Sequence, residues 1–325
     1  MKKNMNFDFC GKKKYFAFVS LGIILIGLLV NIFFGTEMDI QFTGGAIIKY
    51  SYQGDLDGAY AQRLLEENAG SKVSLQYNYN VYVPGQEGTE NNLSVSISDY
   101  ESLTMDRQKE MLAVMQKAFP DNNFEQLEAN SVNPTMGREF FLKCMVAILL
   151  ASLLMLIYVA FRFKRIGGWS AGLMALAALL HDCLMVYFTF VIFRIPLDDN
   201  FVAVILAILG YSLNNTIVIY DRIRENRRLQ GPKSELNALV NLSINQSFNR
   251  SLNTSISTVL AVGSVTGVAI FFGLDSILSF SVPMLVGVIS GFYTSTFLTA
   301  PFWVLFADYL AKRRAAKKKP AGSKK

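Results

Sequence analysis

One histidine, His181, stands in a chain of 325 residues, and its three cysteines, Cys10, Cys144 and Cys183, lie far apart. Such a set cannot build a typical multi-ligand metal site, which argues against a metalloenzyme. No cysteine falls between Glu37 and Glu139, so this long hydrophilic segment must fold without disulfides. No HExxH motif occurs, and the one GxSxG string, Gly168-Trp169-Ser170-Ala171-Gly172, opens an apolar run and follows no predicted strand. An intramembrane hydrolase pairing His181 with a serine would need a positioned nucleophile and an oxyanion hole, and a short string outside the strand-turn-helix context signals neither. The chain is not expected to be an enzyme, and nothing in it implies a cofactor.

Charge is also missing over long stretches. Tyr15–Phe34 carries none, and Met145–Phe161, Trp169–Phe193, Phe201–Tyr220, Ile256–Phe272 and Ile277–Leu305 are almost as apolar. A span needs about 20 mostly apolar residues. With 52% hydrophobic residues and a mean hydropathy of +0.31, the pattern predicts a polytopic α-helical membrane protein with six spans. The first run exceeds a signal-peptide core and has no A-x-A-like site after it, so it reads as a retained anchor.

The formal charge of +6 is concentrated in alternate connections. Lys2, Lys3 and Lys12–Lys14 precede the first span, Arg162, Lys164 and Arg165 follow the second, and Arg222–Lys233 follows the fourth; Lys312–Lys325 is a basic tail. The positive-inside rule makes these four places cytoplasmic, both termini included. This distribution fits a topology signal with anionic-lipid contact better than a nucleic-acid site.

Between Glu37 and Glu139, carboxylates outnumber basic residues roughly two to one. Alternation (Leu93, Val95, Ile97) and helical spacing (Met111, Met115) predict strands at 46–52, 72–83, 92–98 and 123–131 and helices at 56–69 and 103–119. That order, β-α-β-β-α-β, is a ferredoxin-like split βαβ unit. Pro84, Gly85 and Gly88 mark its central turn, and Gly44–Gly45 reads as a flexible entry. An open edge strand would suit an extended peptide. The expected organisation is a cytoplasmic N-terminus (1–14), a first span (15–34), an extracytoplasmic α+β domain (35–139), a five-helix membrane region (140–310) with a cytoplasmic loop (221–250), and a basic cytoplasmic tail (311–325).

Polar residues inside the apolar runs are the candidate site. His181 and Asp182 fall mid-span, and an intramembrane acid is costly enough to be a functional hypothesis by default. Asn214 and Asp221, seven apart, share one helix face, which predicts a polar stripe against neighbouring helices. Arg250, near the start of the fifth span, is a candidate partner for an acid on the third or fourth. The stretch from Ser234 reads as an interfacial helix running into that span. Gly263/Gly267 and Gly287/Gly291 form GxxxG pairs that permit close helix approach.

Several segments together resemble the SecF family of bacterial protein-export subunits. Asp39-Ile-Gln-Phe-Thr-Gly-Gly45 is similar to the family's DFTGG entry to its outside domain, and Val132–Glu139 to its pre-span motif. Tyr158–Phe163, Leu180-His-Asp182, the Gly210–Asn226 block and Asn241–Arg250 continue the likeness in order. The resemblance implies an RND-superfamily subunit of the bacterial cytoplasmic membrane. It implies work with SecD and the SecYEG channel on unfolded preproteins, driven by the proton gradient. It also implies a functional role for Arg250. One departure stands out: where the family carries an acid for proton conduction, this chain has Asn215, which has no carboxyl proton to exchange. Either Asp182 or Asp221 substitutes for it, or proton coupling resides wholly in SecD or is lost. A half-size exporter of lipid or small molecules is the alternative; it would typically have two outside domains and about twelve spans.

Overall fold

The computed structural model describes residues 7–71, 73–82, 89–98, 104–132, 134–231, 234–272 and 274–318. The expected turn at Pro84, Gly85 and Gly88 lies outside them. After the first span, α1 (Lys13–Phe34), the chain forms a one-turn helix, α2 (Ile40–Thr43), and then β1 (Gly45–Tyr52). Next come α3 (Gly58–Ala69), β2 (Val73–Tyr82), β3 (Thr89–Ser98), α4 (Met105–Ala118) and β4 (Glu125–Val132).

The sheet order is β2-β3-β1-β4, with every pair antiparallel. This is the ferredoxin-like arrangement the strand order implied. Period-two burial fixes the register, because a one-residue slip would turn every apolar side chain outward. Ile48 of β1 faces Val95 of β3 and Ala129 of β4. Ala46, Ile48, Tyr50, Leu93, Val95 and Ile97 are fully buried beneath Ala61 and Leu65 of α3 and Met111 and Met115 of α4. Burying each large aliphatic side chain contributes about 1.5–3 kcal/mol. Asp57 caps α3 by accepting from the N–H groups of Ala59 and Tyr60, both at 3.1 Å, and left-handed Gly70 ends it.

The expected flexible entry at Gly44–Gly45 is instead a fixed corner. Gly44 (φ +79°) and Gly45 (φ +138°) turn α2 into β1, conformations that L side chains rarely adopt. A Cβ on Gly45 would strike the Ile97 carbonyl. Asp39 caps α2 by accepting from the Gln41 N–H at 2.9 Å. The second span, α5 (Pro134–Arg162), packs directly on this corner: a Cβ on Gly137 would lie 2.8 Å from the Gly44 nitrogen. The two SecF-like motifs that flank the ferredoxin-like domain thus grip each other through bare backbone.

The remaining spans are α6 (Gly168–Ile192), α7 (Asp199–Gln230), α8 (Leu236–Phe272) and a composite of α9 (Asp275–Tyr293), a π-helical turn (Thr294–Thr299) and α10 (Ala300–Lys318). Among the described residues, six helices are long and apolar enough to cross a membrane. In α6 and α7, 56% of the apolar window is buried, against 11% in α1 and α5, so α6 and α7 form the centre and α1 and α5 present their apolar faces outward. The stretch from Leu236 continues unbroken into the fifth span. Its Leu239, Val240 and Ile244 are buried in the bundle core, so it packs on protein where an interfacial helix would lie against headgroups. The N-terminal strap docks on it, with Asn241 accepting from the Phe9 N–H at 2.8 Å and Asn245 bonding Phe7 both ways.

The α6–α7 connection holds the root of the ferredoxin-like domain. Arg194 donates to the Phe34 carbonyl at 2.8 Å and pairs with Glu37. Leu197 donates to the Glu37 carbonyl at 2.9 Å and accepts from the Asp39 N–H at 3.0 Å.

Candidate functional site

Asp182 is the one charged side chain with no exposure at all among the described residues. It projects from the middle of α6 toward α7 and α9. Ser212 of α7 donates to it at 2.5 Å and Ser290 of α9 at 2.6 Å; Thr294, the first residue of the π turn, approaches both carboxylate oxygens at 2.9 and 3.0 Å. An unpartnered charge in such a place would be prohibitive, and three hydroxyls offset that cost. Hydroxyls rotate: they donate to a carboxylate and can accept from a neutral acid's O–H. The shell therefore tolerates either protonation state of Asp182.

Close helix approach makes the shell possible. Gly287 and Gly291 line one face of α9, where a Cβ would lie 2.6 Å from Ile208 and 3.1 Å from Ser212 of α7. The π turn adds a residue to one helical turn, a feature common at functional sites. It buries Thr294, Ser295, Thr296 and Thr299 together. Ser295 donates to the Ser212 carbonyl at 3.1 Å and meets Thr216 at 3.0 Å.

Asn215 sits one turn beyond Ser212, only 2% exposed, and its Nδ2 has no hydrogen-bond partner. A buried amide with an orphaned donor is a costly feature. Asn214, beside it, faces outward and is exposed. The expected polar stripe of Asn214 and Asp221 against neighbouring helices is thus corrected: Ser212, Asn215 and Thr216 form the inward polar face. Spacing put Asn214 and Asp221 on one side of α7 without fixing which way that side points.

His181 bonds Ser20 of α1 through Nε2, and its Nδ1 lies 3.5 Å from Asp182 without a hydrogen bond. In outline this is a serine–histidine–acid row. Ser20, however, is buried mid-helix, where backbone N–H groups are committed to the helix and none is free for an oxyanion. The row ties α1 to the core, as does the Tyr293 hydroxyl on the Phe16 carbonyl at 2.6 Å.

The remaining two candidates lie away from Asp182. Asp221 pairs with Arg162 at 3.3 Å and Arg224 at 2.8 Å. Arg250 is exposed and has no acidic partner among the described residues, so its expected pairing with an acid of the third or fourth span is not made within this chain. Both line a hollow between the C-terminal ends of α5 and α7 and the N-terminal half of α8. Sequence reading had singled out Asp182 but not its donors. Ser290 and Thr294, four apart, share one helix face, but they are two of many hydroxyls along α9 and the π turn, so nothing in the sequence distinguishes them.

Comparison with known proteins places this geometry. A family model described as protein export membrane protein SecD/SecF, C-terminal, matches residues 111–308. The chain is 31% identical to the protein translocase subunit SecF of Alicyclobacillus acidocaldarius, covering 98% of this chain and 97% of that protein. It is also 31% identical to the protein translocase subunit SecDF of Bacillus subtilis over 95% of this chain, but spans only 39% of that longer protein. The crystal structure of SecDF from Thermus thermophilus superposes with a TM-score of 0.78 at 26% identity, over 95% of this chain and 40% of that one. Family model, end-to-end likeness and shared architecture agree: the chain belongs to the SecD/SecF family of protein-export membrane proteins and resembles its SecF subunits along nearly its whole length.

Proposed function

We propose that this chain is the SecF-type half of a two-part accessory translocase. It pairs with SecD, acts beside the SecYEG channel, and assists late export of unfolded preproteins at the expense of the proton gradient. Its termini and basic connections face the cytoplasm, and its ferredoxin-like domain meets the emerging substrate outside. The supporting observation is an unpartnered polar face. Asn253, Ser257, Ser264 and Gly267 repeat along one exposed side of α8, and Asn214 and Gly210 are exposed on neighbouring α7. A Cβ at Gly210, Gly263 or Gly267 would meet nothing within 4 Å. Polar and small residues of this kind suit a protein helix better than lipid. The fused relatives, of which this chain spans about two-fifths, carry in one polypeptide what SecD would supply here.

In this reading Asp182 is the titrating group. Its hydroxyl shell passes a proton in and out, and Asn215 marks the vacated position of the family acid. His181 positions α1 against that shell, and Asp221 and Arg250 line the mouth on the basic side. Copurification from solubilised membranes tests the pairing. SecD should accompany the native chain and be lost with Ser257→Trp, whose new side chain projects from the open face and leaves the melting temperature unchanged. Undiminished SecD recovery with that variant would refute the assigned surface.

A further inference from the structure

The hollow between the C-terminal ends of α5 and α7 and the N-terminal half of α8 is strongly cationic, about 1350 Å³ in volume and open on one side. Its two carboxylates are already engaged: Asp221 holds Arg162 and Arg224, and Glu225 holds Arg222 at 2.6 Å. Lys164, Arg227, Arg228 and Arg250 are left lining the same space without an acidic partner among the described residues. Such uncompensated charge calls for an anion.

The chemistry of the walls identifies which kind. Phe161 of α5 and Val218 of α7 line the hollow on the side of the spans, and the Lys164 ammonium stands 4.4 Å over the Phe161 ring. Trp169, 70% exposed, flanks an adjoining cavity that shares Lys164 and Arg227. A tryptophan in that position marks the headgroup level of a bilayer. A site cationic at headgroup depth and apolar toward the membrane centre matches an amphiphile, whereas a soluble phosphate would have no use for the apolar wall. We propose that this hollow seats the headgroup of an anionic phospholipid. The phosphate lies among Lys164, Arg227 and Arg228, and the acyl chains run up past Phe161 and Val218. This inference is independent of the pairing with SecD, since every residue it uses belongs to this chain.

The test is quenching of tryptophan fluorescence in the full chain reconstituted in phosphatidylcholine. Only two tryptophans exist, and Trp303 is fully buried, so Trp169 reports. Brominated phosphatidylglycerol should quench in preference to brominated phosphatidylcholine by about fivefold or more, the effect expected of even one basic residue near an anionic headgroup. The Lys164→Gln/Arg227→Gln/Arg228→Gln variant should lose that preference, and the charge-keeping Lys164→Arg/Arg227→Lys/Arg228→Lys variant should retain it. Equal quenching by the two lipids in the native chain would overturn the proposal, whatever the variants do. So would a preference that survives removal of the three charges, or one abolished by millimolar inorganic phosphate, which would make the site a receptor for the free ion.

Discussion

Asp182→Asn removes the buried carboxyl while keeping its shape. Because the surrounding hydroxyls can turn to accept from an amide, the variant should fold and still associate with its partner. Gradient-stimulated export should fall about a hundredfold or more, the lower reach of what a positioned proton-transfer group supplies. Export assays with and without an uncoupler measure this, and unchanged gradient dependence would remove Asp182 from the relay. Ser290→Ala leaves the carboxylate with one donor fewer and should cost about 1.5–3 kcal/mol in thermal unfolding. Asn215→Asp converts the orphaned amide into an acid without breaking any bond seen here, and export should become more gradient-dependent; no change would mean that the pathway past this position is gone. At this scale the sequence was half legible. An acid in an apolar run announces itself through its insertion cost, which identifies Asp182 without any structure. Its three donors come from two other helices, and hydroxyls in a span have too little individual cost to stand out. Asn214 misled for a related reason: periodicity groups residues on a face, but only packing orients the face.

Among elements, the two GxxxG pairs looked alike in sequence and do different things. Gly287 and Gly291 are occupied by α7, so Gly287→Val should push Ile208 aside and cost about 1–3 kcal/mol. Gly263 and Gly267 face open space, so Gly267→Val should leave the melting temperature of the isolated chain unchanged and weaken recovery of SecD. Sequence could not separate the pairs, because the neighbour that fills a groove is remote in the chain or belongs to another one. A pH dependence belongs to the start of α7. Burial holds the carboxyls of Asp198 and Asp39 above their usual range, with Asp199 raising both further. A raised acid binds its proton more tightly in the folded state. Its contribution to stability is therefore complete below the unfolded value of about 3.9 and is lost as pH rises through the folded one. Stability of the full chain should decline over that window, and Asp198→Asn, which can still cap α7, should flatten the decline in a series of melts. An identical slope in the variant would assign the dependence elsewhere.

For the whole molecule, six spans and a split βαβ domain were readable because both rest on local periodicity and run length. The corner at α2, which rests on a contact between residues almost a hundred positions apart, was not. The proposed orientation is open to a direct check. A cysteine at Leu127, half exposed on β4, should react with an impermeant maleimide added outside intact cells, and one at Leu229, 70% exposed at the end of α7, should not. Labelling of both would refute the orientation. The ferredoxin-like domain also begins and ends at one point, since Gly45 and Val132 are register partners on adjacent strands. Its two stems are thus a single paired ribbon, clamped to α5 where Gly44 meets Gly137 and laced to the α6–α7 connection by Glu37 and Asp39. A body mounted in this way has no slack at its base. If it swings during a working cycle, the torque must pass into α5 and the α6–α7 hairpin, and so into the helix that carries Asp182. In the proposed function the mounting would act as a crank between this domain and the buried acid, and a bulky residue at Gly137 would disengage it without touching either end.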